Sequence, residues 1–277
     1  MKTGKAVGGS LGAIAILILA QLLAQLLAVG LEFLQLPAAI CNIAAGILYF
    51  GFAFFLLKIF AEKILKMPLP ELGIPSFRLQ WKWVLTGILL PVLVTGVYLL
   101  LPGRWVGTQM ETAQAAATVC TGVFFTGLGA GFVEEMVFRG FILNLLDKRW
   151  NKVVAILVPS LLFGSVHVIG MGFSLGSSLL VIAAGTLVGV MFSLIQQENH
   201  SVWDSGIVHA LWNVVILGGV VSVYEKADEF SLFTYVLKTD NFALTGGEFG
   251  IESSIIAAAG YAVVGLFAFY QIKRKQK

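Results

Sequence analysis

Charge is scarce in this chain: Asp, Glu, Lys and Arg make up 12% of its 277 residues, against 58% hydrophobic. Soluble domains carry about 25% charged residues, so an ordinary water-facing surface is excluded. Cysteine is nearly absent. Cys41 and Cys120 both stand in apolar runs, which excludes a disulfide framework. The hydrophobic runs are continuous rather than alternating, which excludes a transmembrane β-barrel. The basic residues are scattered through short connections with no folded basic face, so no nucleic-acid partner is expected. No internal repeat is evident, against an inverted-repeat transporter, and no HExxH segment is present.

What is present is a series of apolar runs of about 20 residues, the signature of a polytopic helical membrane protein. Eight spans are predicted, at 11–31, 37–60, 83–101, 117–146, 153–171, 176–196, 203–224 and 251–272. The fold class is all-α, a single integral membrane domain over 1–277. The first run is longer than the roughly 7–15 residues of a signal-peptide core, so it is expected to stay as an uncleaved span. Counting Lys and Arg sets the orientation. With the N-terminus inside, fourteen fall on inner segments (Lys2, Lys5, Lys58, Lys63, Lys66, Arg78, Lys82, Lys148, Arg149, Lys152, Lys273, Arg274, Lys275 and Lys277). Only Arg104, Lys226 and Lys238 fall outside. Both termini are therefore expected in the cytoplasm. Trp81 and Trp83 are expected as interfacial anchors. Gln21 and Gln25 in the first span are expected to form an interhelical hydrogen-bond face. Gly127/Gly131 and Gly185/Gly189 are small-xxx-small pairs that permit close helix approach.

Three charges interrupt the fourth span: Glu134, Glu135 and Arg139. On insertion scales each costs about 2.5–3.5 kcal/mol near a helix centre, on the order of 9 together. The eleven large apolar residues from Val123 to Ile142 return only about 5 kcal/mol. The helix therefore needs partners inside a bundle. Glu135 and Arg139 are i and i+4 on one helix face and can pair. Glu134 lies about 100° round the helix and is the carboxylate left over, which marks it as a candidate general base.

Two of the three histidines lie inside spans. His167 ends FGSVH, one turn after Phe163, and His209 opens HALWN, one turn before Asn213. Alone, each reads as a helix–helix hydrogen-bonding residue; with an unpaired glutamate, all three can line one cavity. At 1.5 Å per residue, Glu134 and His167 lie about 20 and 21 Å from the inner ends of their spans, but His209 only about 9 Å. Either the seventh span begins earlier or the 197–204 connection dips into the bundle. Glu134, His167 and His209 are also three donors of the types that bind zinc with an open fourth position. One histidine per helix and the lack of HExxH favour a metal-free site, with no firm cofactor and zinc as the alternative.

Together, EEMVFR, FGSVH and HALWN resemble the EExxxR, FxxxH and HxxxN/D motifs of the CAAX protease and bacteriocin-processing (CPBP) family. Its eukaryotic representative is the Rce1-type CAAX prenyl endopeptidase, and it was formerly called the abortive-infection family. The resemblance covers 115–225, which it implies is a catalytic four-helix core of an intramembrane endopeptidase. It implies Glu134 as the base, His167 as its partner in holding and activating water, and His209 and Asn213 as stabilisers of the oxyanion. Glu135, Arg139 and Phe163 support the site. The implied partners are the lipid bilayer and a peptide or membrane-protein substrate; the implied location is a cell membrane, multi-pass. Small size and compact loops suggest a bacterial source, with leader-peptide processing or self-immunity rather than prenyl-CAAX processing. Two other readings stay open: a non-catalytic immunity or scaffolding protein, and a proton-coupled transporter using the same groups as a relay.

Overall fold

The computed structural model describes residues 1–276; Lys277, one of the fourteen inner-segment cations, lies outside them. Six helices are long and apolar enough to cross a membrane. They are α1 (Thr3–Phe33), α2 (Ala38–Leu65), α3 (Trp81–Leu99), α4 (Thr112–Arg149), α6 (Leu175–Asn199) and α8 (Ile255–Lys275). Two shorter apolar helices, α5 (Lys152–Val166) and α7 (Val202–Ile216), stand at the fifth and seventh predicted spans. The molecule is a helical membrane bundle.

The sequence supplies many of the helix starts. Asn151, Ser174, Ser201 and Ser254 each cap a helix by accepting a backbone N–H two or three residues on. Along α1, Ala6, Ala13, Ala20 and Ala24 are fully buried while Leu11, Leu19, Leu22 and Leu23 are exposed. Small residues let α1 lie close against α2, and the leucines suit a lipid-facing surface.

Several expectations are corrected. α5 and α7 have 15 residues each, about 22 Å of helix, so both stop well short of the predicted 171 and 224. The helical bundle is as expected, and it carries in addition a small sheet. Its strands are β1 (Gly103–Gly107), β2 (Val221–Tyr224) and β3 (Phe233–Leu237), with β3 central, antiparallel to β1 and parallel to β2. Trp81 is exposed as an anchor would be, but Trp83 is fully buried and its Nε1 donates to Glu198 at 3.0 Å. Gln25 is exposed rather than interhelical, and no hydrogen bond joins Gln21 or Gln25 to another helix among the described residues.

The connections sort to two ends. At one, Arg149 donates to Thr3 at 2.8 Å, Lys148 pairs with Glu71 at 2.9 Å, and Glu198 receives both Lys82 and Lys275 at 2.5 and 2.8 Å. At the other, the sheet joins the α3–α4 connection to the long segment after α7. There Glu248 also accepts the backbone N–H of Ser174 at 2.7 Å, which holds its carboxyl below the usual range.

Candidate active site

α4 and α7 touch backbone to backbone. A Cβ on Gly122 would collide with Gly218, one on Gly127 with Val214, and one on Gly131 would lie 2.7 Å from the Ala210 Cα. On α7 and the turn just after it these partners are spaced by four; on α4 the spacing is five and then four. The extra residue is accommodated by a π-helical stretch, Thr121–Ala130, whose wider turns keep the three glycines on one face. A second π-helical stretch, Met136–Ile142, follows the glutamates. α5 and α6 meet the same way: a Cβ on Gly185 would stand 2.5 Å from the Gly164 Cα, and one on Gly189 2.8 Å from the Ser160 Cα. Both predicted glycine pairs lie on these seams, which bring α4, α5, α6 and α7 around one cavity of about 160 Å³.

The α6–α7 turn leads into a buried helix start. Ser201, Val202, Trp203 and Asp204 are all buried. The segment after α2 covers them: Val202 N–H donates to the Gly73 carbonyl at 2.9 Å, Trp203 Nε1 to the Pro75 carbonyl at 2.8 Å, and Gln80 N–H to Asp204 Oδ1 at 2.9 Å. The start of α7 is thus covered by protein, and only His200 and Ser201 stand outside the two flanking helices. Irregular backbone is tolerated there because protein groups satisfy it.

Glu134, His167, His209, Asn213 and Phe163 all line the cavity. The Glu134 side chain is 24% exposed. Glu135 and Arg139 lie behind it, fully buried, paired at 2.7 Å. The guanidinium sits among aromatic rings, with Cζ 4.4 Å from the Phe163 centroid, 5.2 Å from Phe192 and 5.8 Å from Phe138. Those ring faces suit a desolvated cation, while Arg139 Nε and Nη2 and Glu135 Oε2 find no hydrogen-bond partner among the described residues.

His209 bridges the two glutamates. Its Nδ1 lies 3.2 Å from Glu135 Oε1 and its Nε2 3.9 Å from Glu134 Oε2. Phe192 stacks on its ring at 4.8 Å and 19°, so the imidazole is held in plane as well as at one nitrogen. The 3.9 Å gap is too long for a direct hydrogen bond, yet a single water about 2.8 Å from each atom fits it. His167 Nδ1 lies 2.6 Å from the Phe163 carbonyl. A carbonyl only accepts, so Nδ1 carries the proton and Nε2 presents its lone pair. Asn213 Nδ2 donates to the Thr126 carbonyl at 2.9 Å, within the first π-helical stretch. This anchors the amide and leaves its second N–H free.

Sequence reasoning missed Glu252. It lies in the turn Ile251–Ser253 just before α8, lines the same cavity, and accepts from Trp212 Nε1 at 3.2 Å. Burial raises its carboxyl above the ordinary range, and the Trp212 bond opposes that. The available signal was a carboxylate in the first turn of an otherwise apolar final span. Zinc holds N and O ligands at about 2.0–2.2 Å, and among the described residues no group of three or more His, Cys, Asp or Glu is placed to hold an ion.

No curated protein and no solved structure matches the chain. Residues 116–215, just over a third of the sequence, match the family model described as type II CAAX prenyl endopeptidase Rce1-like. That stretch runs from α4 into α7 and contains all seven predicted site residues, so most of the cavity lining lies in a segment similar to that family's.

Proposed function

We propose that the protein is an intramembrane endopeptidase whose catalytic core is the four-helix segment 115–225. The observation that carries this reading is a carboxylate and an imidazole 3.9 Å apart in a largely apolar cavity, with a second imidazole and an amide on its wall. Glu134 takes a proton from water as the water oxygen attacks the peptide carbonyl carbon. The Nε2 lone pair of His167 accepts the other water hydrogen and orients the nucleophile. As charge develops on the carbonyl oxygen, the imidazolium form of His209 donates from Nε2 and Asn213 donates its second N–H. Glu134 then returns its proton to the leaving nitrogen as the C–N bond breaks. Glu135 accepts from His209 Nδ1 and, with Arg139, fixes which edge of the ring faces the reaction.

The test is cleavage by purified protein carrying Glu134→Gln. A fall of about 10²–10⁴ in kcat with unchanged membrane insertion is expected; cleavage at the wild-type rate overturns the reading. If Glu134→Ala and His209→Ala keep the full biological effect in cells, binding rather than hydrolysis is the function.

A further inference from the structure

The cavity has a one-sided inventory of charge. Its ionisable lining groups are Glu134, His167, His209, Glu252 and Tyr261, and no Lys or Arg lines it. Arg139, behind the wall, is already neutralised by Glu135. Hydrolysis as set out above leaves Glu252 without a role. The turn that carries it is fixed: the Tyr261 hydroxyl donates to its backbone carbonyl at 3.0 Å while Trp212 holds the carboxylate at 3.2 Å. Glu134, His167 and His209 are all close enough to act on its charge.

We propose that Glu252 is a specificity-determining residue, and that with Glu134 it makes the cavity select a peptide carrying a cationic side chain beside the scissile bond. A free carboxylate at that place is rejected. The inference rests on the hydrolytic reading of the same site. A carboxylate entering this cavity meets two others in a low-dielectric setting, with no Lys or Arg on the wall and only the imidazoles of His167 and His209 to offset them. A lysine ammonium instead gains charge-assisted hydrogen bonds, while its methylene stem suits the apolar walls. The groups facing Glu252 are Glu134 from α4, His167 from α5, His209 and Trp212 from α7, Tyr261 from α8 and Tyr224 from β2. Because burial raises the Glu252 carboxyl, it takes up a proton at a pH where an exposed glutamate is still ionised. Preference for the cation is therefore present at high pH and fades on acidification, sooner than for an exposed carboxylate.

The experiment presents the full-length protein in proteoliposomes with synthetic peptides identical except for Lys, Gln or Glu beside each potential scissile bond, read by mass spectrometry. Lys is expected to exceed Gln by about tenfold in kcat/KM, with Glu slowest, and the Lys/Gln ratio to fall towards one in Glu252→Gln. Equal wild-type rates, or a ratio unmoved by Glu252→Gln, overturn the inference and leave the protease reading intact. Should that variant not fold, the wild-type ranking and its pH dependence decide. If no peptide is cleaved, the protease reading falls, and equilibrium binding of the same peptides decides: Lys bound above Glu supports the charge selection, and equal binding ends it.

Discussion

Arg139 shows how a single residue is held where lipid would reject it. Its charge is matched by Glu135 one helical turn away, and its flat faces are covered by Phe163, Phe192 and Phe138. Arg139→Met leaves Glu135 buried with only His209 as a partner, so a loss of about 3–5 kcal/mol is expected, measured as thermal unfolding in detergent. Glu135→Gln removes the charge that orients His209, so its kcat is expected to fall while substrate binding persists; a change confined to KM would contradict that role. Of these contacts, the Glu135–Arg139 pair was readable because one helix fixes an i, i+4 geometry. The 3.2 Å contact of Glu135 with His209 was not, because it joins residues 74 apart in sequence.

At the scale of elements, the seam between α4 and α7 decides whether the site exists. Gly131→Ala places a methyl against the Ala210 backbone, and overpacking of this kind costs about 1–3 kcal/mol. Pushing α7 away should also separate His209 from Glu134, so activity is expected to fall more steeply than stability. Gly51→Ala in α2, where a Cβ meets nothing within 4 Å, is the control, expected to keep both. Glycine spacing was visible in the sequence, but the π-helical turns that align Gly122 with Gly127 and Gly131 were not. Hydropathy also overran the ends of α5 and α7. The apolar run Val220, Val221 and Val223 extends the seventh span on paper, yet those residues are β-branched and Val221 and Val223 pair with β3 instead.

For the whole molecule, the two ends differ in charge. The predicted inner segments meet at one end through Lys82, Lys148, Arg149 and Lys275, and the sheet closes the other. We propose that the basic end is cytoplasmic, as the excess of Lys and Arg requires. In a Cys41→Ala, Cys120→Ala background, an impermeant thiol reagent added to intact cells should label Asp240→Cys and not Lys273→Cys. The reverse pattern would invert the orientation. The cavity takes Leu217, Phe249, Glu252 and Ser253 from the sheet end.

The sequence by itself determined the membrane class, the long helices, the Glu135–Arg139 pair and the set of polar residues that lipid cannot tolerate. Each follows from composition, run length or spacing within one helix, all local properties of the chain. Tertiary structure decided what those residues face. It placed His209 between two glutamates by seating α7 against α4, anchored Asn213 on a π-turn carbonyl, and brought Glu252 to the cavity from beyond the matched segment. Those outcomes depend on which helix backbones can touch, and that depends on glycines and turns on partner helices far apart in sequence.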